Sequence, residues 1–152
     1  MFNFSIMKNL SYNISIAASP QKVWDTMIGQ ETYKIWTDAA WPGSDFKGEW
    51  KQGENLHFVG QDGSGTLATV NTFDRYNKIV LLHIAMLKPG SVVDTESEWA
   101  KKWIGSVEEY AFSAKDGITE LTVNMKIYED WEAMFNESWP IALARLKQIC
   151  ED

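Results

Sequence analysis

The stretch WEAMFNESWPIALARLKQIC, Trp131 to Cys150, decides how the rest of the chain is read. Trp131, Met134, Phe135 and Trp139, then Ala142, Leu143, Leu146 and Ile149, recur every three or four residues. That is the apolar stripe of an amphipathic helix. Pro140 sits inside it and cannot donate to the Asn136 carbonyl, so a kink or restart is expected near Ser138. A helix with one apolar stripe needs a surface to lie on, and the upstream sequence supplies one.

Working back from the tail, the period changes from 3.6 to 2. Strands are expected near Gly117–Ile127 and Trp103–Ser113, joined by Lys115-Asp116-Gly117, a hairpin signal. The polar run Asp94 to Lys102 precedes them. Lys78 to Leu87 carries apolar residues on both faces, as a central, doubly covered strand does. Thr66 to Asp74, the Leu56/Phe58 segment and the Phe46/Gly48/Trp50 segment extend the series. Ahead of Trp41-Pro42-Gly43 the pattern turns helical: Tyr33 and Trp36 share one face, and Val23, Trp24 and Met27 share another. Ser19-Pro20 opens the earlier helix as an N-cap followed by proline at the first helical position. Tyr12 to Ala17 alternates as a half-buried strand. The order is strand, two helices, about six strands, one long helix. Short connections make the sheet antiparallel and the class α+β.

Such a sheet twists and curls, and one helix about 10 Å across cannot fill its concavity. The aromatics decide what remains. Eight tryptophans, five tyrosines and seven phenylalanines make up 13% of 152 residues. Each can hide roughly 150–250 Å², so the chain has ample core material without a metal or disulfide staple. Trp50, Phe58, Tyr110 and Phe112 from the strands, with Trp131, Phe135 and Trp139 from the helix, are the candidate walls of a pocket. His83, a polar residue in an apolar strand, and Glu108, which shares parity with Tyr110 and Phe112, are the candidates for orienting a ligand.

Composition narrows the partners. A net charge of −7 with 14 scattered basic residues offers no stripe for nucleic acid and little attraction to an anionic membrane. No apolar run approaches the ~20 residues of a membrane span, and Met1 to Leu10 has neither the basic start nor the apolar run of a secretory leader. Cys150 is the single cysteine, which excludes an internal disulfide and suits a reducing compartment. The expectation is a soluble, cytoplasmic protein. His57, His83 and Cys150 lack zinc-site spacing. Asp94 to Glu98 resembles a calcium loop, but Trp99 stands where that loop needs glycine. Gly60 to Gly65 lies between strands and reads as a hairpin. No metal, cofactor or catalytic motif is expected.

Four stretches together resemble a known family. Ala18-Ser19-Pro20-Gln21-Lys22-Val23-Trp24 resembles the opening of the START-like, helix-grip superfamily (SRPBCC), in the branch of homologues of the activator of the ninety-kilodalton heat-shock protein ATPase. Asp45 to Gly53 resembles that branch's second-strand hairpin. His83 with Asp94 to Glu98 and Trp103 resembles its strand-to-loop segment, and Ser138 to Lys147 its last helix. The resemblance implies a β-α-α-β(5–6)-α helix-grip domain over residues 1–152, with a core at about 10–150. It also implies three kinds of role: carriage of a small apolar ligand, interaction with a chaperone, or cyclase- or hydrolase-like catalysis using His83 and Glu108 as acid and base. Ligand binding between helix and sheet is the leading expectation, and an enzyme is disfavoured because His83 and Glu108 have no sequence-adjacent catalytic partner.

Overall fold

The computed structural model describes residues 6–152; residues 1–5, part of the segment weighed above as a leader, lie outside the described residues. β1 (Met7–Ile16) is followed by α1 (Pro20–Ile28) and α2 (Gln30–Asp38). Then come β2 (Asp45–Lys47), β3 (Asn55–Val59), β4 (Gly65–Asp74), β5 (Lys78–Lys88) and β6 (Val92–Asp94). A short α3 (Glu98–Trp103) leads to β7 (Val107–Lys115) and β8 (Ile118–Tyr128), and a 3₁₀ turn at Glu129–Trp131 enters α4 (Glu132–Glu151). The strands form one eight-stranded sheet in the order β1-β8-β7-β5-β4-β3-β2, with β6 paired to β5. Every pairing is antiparallel.

Local chemistry explains most boundaries. The Ser19 hydroxyl accepts from the Lys22 amide at 3.1 Å, and Pro20 occupies the first turn of α1. Asp116 and Gly117 both take positive φ, 54° and 78°, which gives the tight turn that a two-residue hairpin requires. The tail helix buries Phe135, Ser138, Trp139, Ala142, Leu143 and Leu146 on one stripe. It packs on β1, α1 and α2. Trp24 closes the far end of the core, 5.0 Å from Phe73 and 5.2 Å from Phe112 between ring centroids.

Four expectations are corrected. The restart near Ser138 is absent: α4 is one helix through Pro140, where Pro140 and Asn136 are both exposed and water can serve the freed carbonyl. The Phe46/Trp50 strand stops at Lys47: Gly48 sits at φ 115°, and a Cβ there would lie 2.6 Å from the Asn55 carbonyl oxygen, so the chain bends and Trp50 falls outside the strand. The polar run after β5 holds β6 and α3, with the Ser97 hydroxyl capping α3 by accepting from Ala100 N at 3.1 Å. Trp103 therefore ends a helix, and β7 starts only at Val107. With β6 counted, seven strands follow the two helices where five or six were expected.

Two irregularities shape the sheet's concave face. Ala68 pairs with His83 while Leu67 pairs with Ala85, so Ile84 is an extra, unpaired residue in β5. A bulge of this kind reverses the alternation, and His83 and Met86, three apart, come to share a face. The second shift, between Val70 and Thr72, brings Phe73 onto the concave side against Trp24.

The grip of α4 rests on its small and branched residues, and Leu146 is fully buried. Leu146→Ala is expected to lower unfolding stability by about 2–5 kcal/mol, read from the urea midpoint at unchanged slope.

Candidate functional site

At the N-terminal half of α4 the helix and sheet stand apart, leaving a cavity of about 640 Å³. Phe135 and Trp139 hang into it from α4, and Trp131 from the preceding turn. The sheet contributes Phe58, Thr66, His83, Met86, Glu108 and Tyr110. Tyr33 and Trp36 of α2, Trp41 and Asp45 beyond it, and Trp103 of α3 close the sides. The walls are predominantly rings. Trp139 lies 5.1 Å from Trp41, 6.0 Å from Tyr110 and 6.2 Å from Trp36 between centroids. Trp103 lies 5.3 Å from Trp131 and 6.2 Å from Phe135.

Seven of the nine residues expected at the pocket line it: Phe58, His83, Glu108, Tyr110, Trp131, Phe135 and Trp139. Two do not. Phe112 has the right parity but lies further along β7, where its ring is taken up by Trp24 at 5.2 Å. Trp50 stands behind the wall, edge-on to Phe58 at 5.7 Å and to Phe46 at 5.6 Å. The sequence reading missed Trp103, placed in a strand instead of a helix, and Met86, which Ile84's bulge turns inward. Tyr33 and Trp36 were seen to share a helix face, but nothing in their spacing said that the face meets a cavity.

The cavity's buried, mutually bonded polar groups centre on Glu108. Glu108 stands opposite Leu81 on β5 and Met125 on β8, so its carboxylate enters an apolar row. Two neighbours satisfy it. His83 Nε2 lies 2.8 Å from Oε1, and the Tyr110 hydroxyl donates to Oε2. Burial pushes the Glu108 carboxyl up, but the hydrogen bond and attraction to His83, with the bond from Tyr110, outweigh it and hold the group below its ordinary 4.5. Burial, then Glu108, raises the Tyr110 hydroxyl well above its usual value, so it remains a donor. Burial also dominates at Tyr33, whose hydroxyl is raised further by Glu108 and Asp45. His83 is only 2% exposed, its ring lies 4.6 Å from Trp103 at a tilt of 53°, and its Nδ1 has no partner among the described residues. Trp103 Nε1 and Ser106 Oγ are likewise buried without partners among them. His83 and Glu108 therefore engage each other, an arrangement that fixes an orientation more readily than it supplies a free acid and base.

Glu108→Gln leaves one of the two donors facing an amide NH₂, and is expected to cost about 1–3 kcal/mol at pH 7. Because the folded carboxyl titrates below 4.5, its stabilisation is present above that value and is lost as pH falls through the lower folded value. The thermal midpoint of the wild type should therefore fall more steeply below pH 4.5 than that of the variant.

No family profile and no curated protein matches this sequence. Solved structures do match. A solution structure of the Aha1 dimer from Colwellia psychrerythraea superposes with a TM-score of 0.73 at 19% identity, covering 95% of this chain and 96% of that one. Protein MLL2253 from Mesorhizobium loti gives 0.72 at 12% identity, covering 93% and 96%. CalU16 from Micromonospora echinospora gives 0.65 at 15%, covering 93% of this chain and 65% of its own. At such identities the likeness shows the fold alone: the chain has a helix-grip architecture, a curved antiparallel sheet with a long C-terminal helix, shared with the Aha1 and CalU16 structures.

Proposed function

We propose that this protein binds a small, largely apolar ligand between α4 and the sheet, acting as one START-like domain in a reducing, cytoplasmic setting. The observation that carries the reading is a cavity of about 640 Å³ rich in aromatic rings, with a bonded polar group at Glu108, the form and size of a small-molecule site. Phe58, Trp131, Phe135 and Trp139 supply apolar wall. Tyr110, held by Glu108, and Tyr33 supply groups that orient one end of the ligand. Trp50 and Phe112 support this wall from behind and from the far end of the core. Among the described residues no helix is long and apolar enough to cross a membrane.

Native mass spectrometry of freshly purified protein, followed by titration of the molecule it carries, tests the reading. At a hundredfold excess over its dissociation constant the ligand is expected to add about 2.7 kcal/mol to unfolding stability and to quench tryptophan emission. Thr66→Trp, which places an indole in the cavity, is expected to weaken that ligand by about tenfold or more. Unchanged affinity in a folded Thr66→Trp variant would place the ligand elsewhere.

A second reading, a chaperone-interacting module, draws support from a different surface. Val92 and Val93 on β6 and Trp99 on α3 are 54%, 55% and 57% exposed, an apolar group close together in sequence beside the sheet. Under the first reading the turnover of a ninety-kilodalton heat-shock ATPase stays unchanged on adding the protein. Stimulation that Trp99→Ala and Val93→Ser abolish would favour the second.

A further inference from the structure

The charge of the cavity lining has a consequence for what fits inside. Its ionisable side chains are Glu108, Asp45, His83, Tyr33 and Tyr110. Among the described residues no lysine and no arginine lines it. Even with the imidazole counted as a cation, the lining holds two carboxylates against one positive group. The phenols add nothing positive, and both are held protonated. The chain as a whole carries −7, so the field outside has the same sign as the field within.

We infer that this cavity selects hydrophobic cations, specifically an aromatic or alkyl body carrying a tertiary or quaternary ammonium group, over neutral and anionic molecules of the same shape. The inference rests on the ligand-binding reading and names its substrate class. Three observations converge on it. First, Trp36, Trp41, Tyr110 and Trp139 form one ring cluster, with centroids 5.1–6.2 Å from Trp139. Ring faces attract a cation through their quadrupole, most strongly where water is excluded. Second, the Tyr110 hydroxyl ties the Glu108 carboxylate, whose other oxygen is partnered by His83, to that same cluster, so a carboxylate stands beside the rings. Third, the bonds made by Asp45 use one oxygen, Oδ1, which accepts from Phe46 N at 2.8 Å and Gln30 Nε2 at 3.2 Å. Its carboxylate also lines the cavity, and Tyr33 feels both carboxylates.

The alternatives fit less well. A ligand carboxylate would leave water to sit among rings and two like charges, with no lysine or arginine to pair with it. A primary ammonium must replace three hydrogen bonds to water, and beside the ring cluster each Glu108 oxygen already has one partner, His83 or Tyr110. A methylated ammonium presents few or no N–H groups, buries its methyls against indole faces and keeps its charge.

Three probes of one shape test the inference by tryptophan quenching and calorimetry at pH 7 and low salt. They are 4-phenylbutyltrimethylammonium, its uncharged isostere with carbon in place of nitrogen, and 5-phenylpentanoate. The ammonium is expected to bind about tenfold tighter than the isostere, and the carboxylate about tenfold weaker than the isostere. Glu108→Gln and, separately, Asp45→Asn should each shrink the ratio of ammonium to isostere affinity severalfold. Asp45→Asn keeps the test open if Glu108→Gln fails to fold. Equal binding of all three probes, or tightest binding of the carboxylate, overturns the inference and leaves the cavity reading intact. Failure of every probe, the isostere included, overturns both.

Discussion

One helix must close a curved sheet much broader than itself, and α4 does so unevenly. Its C-terminal half presents Ala142, Leu143, Leu146 and Cys150, residues small enough to bring the backbone close to β1 and the first two helices. Its N-terminal half presents Phe135 and Trp139, whose bulk holds the backbone away. The same element is thus a tight seal at one end and a strut at the other. The cavity is the space that this gradient of side-chain volume leaves, and the ring clusters around Trp139 and Trp103 keep it from collapsing.

A buried carboxylate at the wall of such a space is costly unless fully satisfied. Glu108 is satisfied from two different directions, by the neighbouring strand through His83 and along its own strand through Tyr110. His83 in turn is fixed by its backbone, whose amide bonds to Ser106 and whose carbonyl receives the Gly105 amide. The polar pole is therefore tied into the sheet's own hydrogen bonding, and its position is set by the strands β5 and β7. The indoles of the wall, by contrast, come from helices and turns.

How much of this could be read from the residues alone depended on whether a local rule was obeyed. The stripe from Phe135 to Leu146 and the Ser19-Pro20 cap obey such rules, and both elements stand where they were expected. Glu108, Tyr110 and Phe112 do share a face, as alternation requires. Parity cannot say which end of a strand faces the hollow, so Phe112 was placed at the pocket although Trp24 covers it. Met86 was hidden by Ile84, an extra residue that period-2 counting cannot see, and Trp50 was misplaced because Gly48 bends the chain. Trp103 lies in a six-residue helix among charged side chains, too short to show a period. For Phe112 and Met86 the decisive information was a contact between distant segments.

The mutual satisfaction of His83, Glu108 and Tyr110 also constrains how the sequence can drift. Replacing Glu108 by an apolar residue would strand an imidazole nitrogen and a phenol in the interior at once, so a viable descendant must retire all three together. Replacing His83 or Tyr110 alone would leave a buried anion with half its support. Neutral single steps away from this trio are closed, whereas the surrounding rings can be exchanged for one another one at a time. Within such a lineage the walls would diversify while the pole persisted as a block.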